Sequence, residues 1–181
     1  MMAETKAVAS AAAPAEEGRS KTVVLVAVDD SDHSYRALEW AVRHVAATAG
    51  VPGARAVELV VVHAKPSPSP VVTMGGPGVS GDVVRLVEAD LRKKADGVVD
   101  RARRLCVANS VTSVQGVVEV VDGEPRHVLC NAVEKHHADL LVVGSHGYGA
   151  IKRALLGSVS DYCAHHAHCS VMIVKQPKPK N

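Results

Sequence analysis

A glycine-rich segment, GSHGYGAIKRALLGS at residues 144–158, combines residue types that bind anions. It contains four glycines, Gly144, Gly147, Gly149 and Gly157. Glycine leaves its backbone N–H accessible and allows positive φ angles. The segment ends where a helix is predicted to begin, and the free amides and dipole at a helix N-terminus favour negative charge. The glycines and the helix start therefore predict a phosphate site.

Polar residues near this segment indicate the kind of phosphate compound. Ser158 and Ser160 supply hydroxyl donors, and Lys152 and Arg153 supply positive charge. Asp29, at the end of another predicted strand, supplies an acceptor. Because a carboxylate opposite a phosphate cradle suits a sugar diol joined to phosphates, the set predicts a nucleotide site.

None of three better-known phosphate or catalytic motifs stands where it would function. There is no GxxxxGK[ST] loop. The first strand–helix turn, VDDSDHS, contains no glycine, and the GxGxxG match GPGVSG at 76–81 lies in a long Pro- and Gly-rich loop and not directly after a strand, where the dinucleotide fingerprint belongs. There is also no GxSxG nucleophile elbow, although Ser145, His146 and several aspartates are present. These absences argue against P-loop enzymes, dinucleotide-dependent enzymes and α/β-hydrolases.

The elements that must position the site alternate between strand and helix. Apolar, β-branched runs predict strands at 22–28, 57–64, 113–121 and 169–175, and DLLVVG predicts a further strand ending at Gly144. Four helical patterns lie between the strands. The first ends at Gly50, and the second runs from about Asp82 to Ala108. The third covers EPRHVLCNAVEKHH, with Pro125 in its first turn, and the fourth covers residues 158–166.

This alternation predicts an α/β fold with a doubly wound, five-stranded parallel sheet and helices on both faces. In such sheets, ligands bind beyond the carboxyl ends of the strands, at the point where the winding reverses. If the first and fourth strands are neighbours there, Asp29 faces the glycine-rich segment.

The motif Gly144-Ser145-His146-Gly147, nine residues, then Gly157-Ser158 resembles the G-x2-G-x9-G-[ST] signature of the ATP-binding branch of universal stress proteins. VAVDDSDHS, VVVHA and SVMIV also resemble that family in order and spacing. The resemblance covers about residues 21–175 and is strongest to plant members. It implies strand order 3-2-1-4-5 and an adenine nucleotide alpha-hydrolase-like fold.

The resemblance also implies roles for individual residues. Asp29 would contact ribose, and Ala27, where the family often has proline, would line the adenine pocket with Ala64 and Val143. The residues that would hold ribose and phosphates are Gly144, His146, Gly147, Gly157, Ser158, Val159 and Ser160. The implied ligand is ATP or AMP. Asp30 is a candidate ligand for an accompanying Mg²⁺, with a solvated carboxylate as the alternative.

The resemblance implies a homodimer formed through the last strand, with Val171, Ile173 and Val174 at the interface. The implied function is a nucleotide-dependent sensor or switch in the stress response, not an enzyme. Two alternatives remain: a dimeric interaction module that needs no ligand, and a slow ATP-hydrolysing or phosphoryl-transfer enzyme using His146 or Asp29.

Composition limits the other classes. The net charge is +2, with no Phe and one Trp, so neither the basic surface nor the stacking rings of a nucleic-acid binder are expected. No apolar run approaches the ~20 residues that span a bilayer. The four cysteines form no CxxC pair, and the first 20 residues do not resemble a signal peptide. These features predict reduced thiols and a cytoplasmic protein, with the nucleus as a further location.

The remaining segments carry weaker predictions. Residues 1–20 are expected to form a disordered tail, 21–175 the nucleotide-binding domain with a flexible loop at 65–82, and 176–181 a polar tail. Ser67 and Ser69 each precede proline in that loop, so phosphorylation and a stiff linker are both open. The segment CAHHAHC (163–169) suggests zinc, but its helical spacing does not bring four ligands together, so no metal site is expected.

Overall fold

The computed structural model describes residues 21–48, 51–67, 81–109, 117–147 and 156–176. Several features predicted from the sequence lie outside this part of the chain. They are the 1–20 tail, Gly50, most of the 65–82 loop including Ser69, the start of the strand at 113, Gly149, Lys152, Arg153 and residues 177–181.

Five strands and four helices alternate along the described chain. The strands are β1 (Lys21–Ala27), β2 (Ala56–Lys65), β3 (Val117–Asp122), β4 (Leu140–Gly144) and β5 (Ser170–Val174). The helices are α1 (Asp32–Thr48), α2 (Gly81–Ala108), α3 (Pro125–His136) and α4 (Ser158–His166). All adjacent strands pair in parallel, in the order β3-β2-β1-β4-β5. The predicted fold class and strand order are confirmed.

The sheet is buried on both faces, which explains its continuous apolar strands. In β1, Val24 and Val26 pack toward α1 and α2, whereas Val23 and Leu25 pack toward α3 and α4. Since successive side chains of a strand point to opposite faces, both sets of positions must be apolar. The order of pairing puts β1 beside β4, so the winding reverses between these two strands.

The turn between β1 and α1 is held by a network of serines. Ser31 caps α1, because its Oγ accepts the N–H of Ser34 at 3.2 Å. The hydroxyl of Ser34 donates in turn to the carbonyl of Asp29 at 2.8 Å and that of Ser31 at 3.0 Å. This network fixes the first turn of α1 at the carboxyl end of β1.

Helix α2 is much longer than the strands it covers. Of its 28 residues, Ala95, Val98, Val99 and Ala102 are buried, and Leu86 in the preceding turns is 70% exposed. Nowhere in the described chain is a helix both long enough and apolar enough to cross a membrane.

Candidate functional site

A cleft of about 570 Å³ opens at the carboxyl ends of β1 and β4, where the winding of the sheet reverses. The eleven residues predicted from the sequence all line it: Ala27, Asp29, Ala64, Val143, Gly144, His146, Gly147, Gly157, Ser158, Val159 and Ser160. Sequence reasoning did not identify the other lining residues, Val28, Ser34, Val62, Pro66, Pro125, Leu129 and Leu156. The structure thus brings these eleven residues to one concave surface, whereas Asp30 is not among the lining residues and Lys152 and Arg153 lie outside the described part of the chain.

One side of the cleft is apolar. Small side chains end the two central strands, Ala27 on β1 and Ala64 on β2, and Val143 lies on β4. Leu129 of α3 and Pro66 complete this wall. Since alanine leaves space that a larger side chain would fill, the wall can accept a flat, largely apolar ring.

Asp29 uses its two carboxylate oxygens differently. Oδ1 accepts hydrogen bonds from the N–H and the hydroxyl of Ser31, at 3.1 and 2.5 Å. Oδ2 lies beside Gly147, where a Cβ added to the glycine would be 2.7 Å away. Asp29 therefore shapes the β1–α1 turn with one oxygen and directs the other toward the glycine-rich segment.

Close packing, and not a positive φ angle, explains why glycine is needed at the described positions of the segment. Gly144, Gly147 and Gly157 are not among the glycines with positive φ, so the expectation that the motif exploits this freedom is wrong for these three. A Cβ at Gly144 would be 2.7 Å from the backbone carbon of His33. A Cβ at Gly157 would be 3.2 Å from the Cα of His146.

The N-terminus of α4 differs in detail from the sequence prediction. Gly157 is the N-cap residue, with φ −74° and ψ 155°, and no side chain of the described residues caps it. Its N–H donates to the carbonyl of Ser145 at 2.8 Å, so this amide is already used and the predicted free glycine amide is corrected. The amides of Ser158, Val159 and Ser160 follow in the first turn, where the helix supplies no acceptor.

Ser160 is mainly a structural donor. Its hydroxyl is buried and donates to the carbonyls of Gly157, at 2.9 Å, and Ser145, at 3.2 Å. In this structure the hydroxyl of Ser160 therefore donates within the protein, whereas Ser158 is exposed at the start of α4. The hydroxyl of Ser160 joins α4 to the end of β4, so the three first-turn amides are held at a fixed place beside the cleft.

Two histidines and a serine form a further cluster at the cleft. The hydroxyl of Ser145 lies 3.2 Å from Nδ1 of His33 and 3.2 Å from Nδ1 of His146. The two imidazole rings have centroids 5.1 Å apart. Neither His33 nor Ser145 was predicted as a site residue. The only sequence signal was their position, one in the first turn after Asp29 and one inside the glycine motif.

The histidine-rich segment at α4 does not form a metal centre within the part of the chain that is described. No three His, Cys, Asp or Glu side chains of those residues are arranged to hold a metal ion. Cys163 is fully buried in the core, as its helical spacing predicted, and the ring of His166 stacks on Tyr162 at 3.9 Å. Burial raises the pKa of the Cys163 thiol to about 12.

A second concave surface, of about 560 Å³, lies at the amino ends of the strands. It is lined partly by Glu134, His137, Asp139 and His168. The carboxylate of Asp139 accepts the N–H of Val23 at 2.7 Å, which ties the chain before β4 to β1. The carboxylate of Asp139 therefore has a structural role in this surface.

The five-stranded order, the surrounding helices and the cleft at the switch point define an adenine nucleotide alpha-hydrolase-like fold. The model of the universal stress protein family matches residues 22–175, and the chain belongs to that family. The universal stress protein PHOS34 of Arabidopsis thaliana is 30% identical over 188 aligned residues, covering 95% of this chain and 68% of PHOS34. A universal stress protein of Mycobacterium tuberculosis is 31% identical over 86% of this chain, which spans 49% of the relative.

Solved structures agree with this fold. UspA of Lactobacillus plantarum superposes with a TM-score of 0.68 at 22% identity, over 84% of this chain and 97% of UspA. A universal stress protein in complex with cAMP has a TM-score of 0.59 at 26% identity, over 84% of this chain and 96% of its own. A family member from Arabidopsis thaliana with AMP bound has a TM-score of 0.58 at 23% identity, over 86% and 92% of the two chains.

Proposed function

We propose that this protein binds ATP or AMP in the cleft between β1 and β4 and acts as a nucleotide-dependent switch in the stress response. One observation carries the proposal. Asp29 and the first-turn amides of α4 line the same cleft, at the point where the winding of the sheet reverses. A hydrogen-bond acceptor for a sugar and donors for phosphates are thus combined in one site.

The geometry suggests how the nucleotide is divided among the residues. The adenine ring occupies the apolar wall of Ala27, Ala64 and Val143. The ribose hydroxyls donate to Oδ2 of Asp29. The phosphates accept from the amides of Ser158, Val159 and Ser160 and from the hydroxyl of Ser158.

Gly144, Gly147 and Gly157 act mainly by allowing close packing around the ligand. His146, which also lines the cleft, donates to a phosphate oxygen. An accompanying Mg²⁺ would neutralise phosphate charge. Asp30, whose exposed carboxylate follows Asp29 but is not among the residues that line the cleft, is the protein ligand we propose for it.

Relatives support the ligand class. The structures compared above include a universal stress protein in complex with cAMP and an Arabidopsis protein with AMP bound. These complexes concern those proteins, and they favour an adenine nucleotide over other nucleotides here. Family members are generally not classed as enzymes, and we propose that any ATP hydrolysis by this chain is slow and secondary.

We further propose a cytoplasmic protein that forms a homodimer through β5. β5 is an edge of the described sheet, paired on one side with β4. Val171, Ile173 and Val174 are half-buried against the helices, and Met172 is 39% exposed. An uncovered edge strand offers backbone groups and apolar side chains to a second copy.

Substitution of Gly157 tests the nucleotide site. Gly157→Val places side-chain atoms against the backbone of His146, where a Cβ alone would be 3.2 Å away. We expect calorimetry with ATP–Mg²⁺ to show binding by the wild type and none by this variant. Gly97→Val is the matched control, because a Cβ at Gly97 meets nothing within 4 Å. A wild type that gives no heat with ATP–Mg²⁺ would favour the ligand-independent interaction module, and equal ATP affinity in all three proteins would contradict the placement of the nucleotide at Gly157.

A further inference from the structure

The hydroxyl of Ser145 lies between two imidazoles, and this arrangement constrains the protons of all three groups. Its Oγ is 3.2 Å from Nδ1 of His33 and 3.2 Å from Nδ1 of His146. Ser145 is only 3% exposed, so water is largely excluded from its side chain. Because buried polar groups form hydrogen bonds with the polar atoms near them, these two ring nitrogens are the hydrogen-bond partners of the Ser145 hydroxyl.

The hydroxyl has a single proton, which links the two ring tautomers. A neutral imidazole donates from one nitrogen and accepts at the other. If Ser145 donates to Nδ1 of His146, that ring carries its proton on Nε2. Oγ of Ser145 can then accept a hydrogen bond from Nδ1–H of His33. In the reverse direction, His146 donates from Nδ1 and leaves Nε2 as an acceptor.

We propose that His33 is a positioning residue that makes His146 a donor to the phosphates of the bound nucleotide. The chain of hydrogen bonds runs from Nδ1–H of His33 to Ser145, from Ser145 to Nδ1 of His146, and from Nε2–H of His146 to a phosphate oxygen. A phosphate oxygen accepts hydrogen bonds, so a neutral His146 ring meets it only in the direction that leaves the proton on Nε2. The inference rests on the proposed function, which places phosphates at the wall that His146 lines.

The backbone around His33 gives this residue a fixed place from which to act. The backbone carbon and carbonyl oxygen of His33 would lie 2.7 and 2.8 Å from a Cβ at Gly144, so α1 meets the end of β4 at closest approach. Ser31 caps the same turn of α1 through the N–H of Ser34. The glycine at 144 therefore also serves to bring His33 within reach of Ser145.

The test separates the phosphates from the rest of the nucleotide. Calorimetry with ATP and with adenosine measures both affinities in the wild type, in His33→Ala and in His33→Asn. Loss of one positioned hydrogen bond corresponds to about a fivefold weakening. We expect His33→Ala to weaken ATP binding by about fivefold or more, with the loss confined to the phosphate-bearing ligand, and the amide of His33→Asn to restore most of it.

A spectroscopic readout tests the same chain without a ligand. ¹⁵N chemical shifts of the His146 ring report which nitrogen carries the proton. We expect the Nε2–H tautomer in the wild type and a shift toward Nδ1–H in His33→Ala, reversed in His33→Asn. His44→Ala is the control, since His44 is an exposed histidine on the same helix whose Nδ1 lies 2.8 Å from the carbonyl of Trp40.

The outcomes distinguish this inference from the proposed function. An unchanged His146 tautomer, or equal losses for ATP and adenosine in His33→Ala, would overturn the role of His33 while wild-type ATP binding stands. A wild type that binds neither ligand would overturn the proposed function and, with it, the phosphate contact of His146.

Discussion

At the scale of single residues, the glycines shape the site because they have no side chain where other groups come close. The carboxylate of Asp29 and the Cα of Gly147 are so close that a methyl group at 147 would be 2.7 Å from Oδ2. The carboxylate has little freedom to retreat, because its other oxygen holds the Ser31 backbone and hydroxyl. The position of the Asp29 carboxylate therefore requires a residue without a side chain at 147.

Gly147→Ala tests this pairing. The added methyl group displaces the Asp29 carboxylate from its place at the cleft, so the sugar contact is lost. We expect ATP affinity to fall by about tenfold, the effect of roughly one charge-assisted hydrogen bond, measured by calorimetry. Gly97→Ala lies in open helix surface and is expected to leave affinity unchanged. Full ATP affinity in Gly147→Ala would show that Oδ2 makes no contact with the ligand.

The sequence predicted which residues line the cleft better than it predicted what each one does. The glycine spacing was visible because it forms a linear motif, and Asp29 was visible because it ends a predicted strand. The use of the Gly157 amide and the Ser160 hydroxyl by the carbonyl of Ser145 was not visible, since it depends on how α4 folds back onto the end of β4. His33 was missed for the same reason, because its partner Ser145 is 112 residues away in the chain.

At the scale of elements, the contact between β4 and α1 decides the geometry of the switch point. Gly144 ends β4 directly against the first turn of α1, where His33 and Ser34 contribute backbone atoms at 2.7 to 2.9 Å from a Cβ. Backbone atoms cannot rotate away as a flexible side chain can. Any side chain at 144 must therefore move the helix or the strand.

Gly144→Ala is expected to destabilise the fold. Overpacking against fixed backbone typically costs about 1–3 kcal/mol, and we expect a loss of that size in the free energy of unfolding, measured by urea denaturation. Gly81→Ala serves as the comparison, because a Cβ at Gly81 meets nothing within 4 Å. Unchanged stability in Gly144→Ala would mean that α1 and β4 can separate freely.

Helices and strands were predictable from the sequence where the conformational preference of the residues and their apolar pattern favour the same structure. The β-branched run of β1 and the proline in the first turn of α3 are examples, and both were placed within a residue or two. Strand ends were less certain because apolar residues continue past them: Val28 is buried although β1 ends at Ala27. Strand order followed from family resemblance, since periodicity carries no information on which strands pair.

At the scale of the whole molecule, burial of Cys163 links stability to pH. An unfolded thiol has a pKa of about 8.5, whereas burial raises the pKa of Cys163 to about 12. Between these values the unfolded chain loses a proton that the folded chain keeps. Stability is therefore fully present below about pH 8.5 and falls as pH rises toward 12, by up to about 1.4 kcal/mol per pH unit.

Urea denaturation between pH 8 and 11 measures this dependence. We expect the wild type to lose stability more steeply with pH than Cys163→Ala, which lacks the thiol. Cys106→Ala is the comparison: burial also raises the pKa of this half-buried thiol, but the rise to about 12 belongs to Cys163, so we expect the larger change of slope in Cys163→Ala. Identical pH slopes for the wild type and Cys163→Ala would contradict the account of this thiol.

The proposed β5 interface also belongs to this scale. Met172 is the exposed apolar residue of the edge strand, so Met172→Lys introduces charge where a second copy would pack. We expect light scattering to show a dimer for the wild type and a monomer for this variant. Leu86→Lys on α2 is the control, with 70% exposure in the starting residue and an unchanged dimer expected. A monomeric wild type would contradict the interface directly.

The central claim, that the cleft holds an adenine nucleotide, is tested most directly by the contents of the purified protein. The protein is prepared without added nucleotide and denatured, and the supernatant is separated by anion exchange. The account predicts ATP or AMP at close to one per chain, or an empty protein that binds added ATP–Mg²⁺ in calorimetry. An empty protein that also gives no heat with ATP–Mg²⁺ would contradict it.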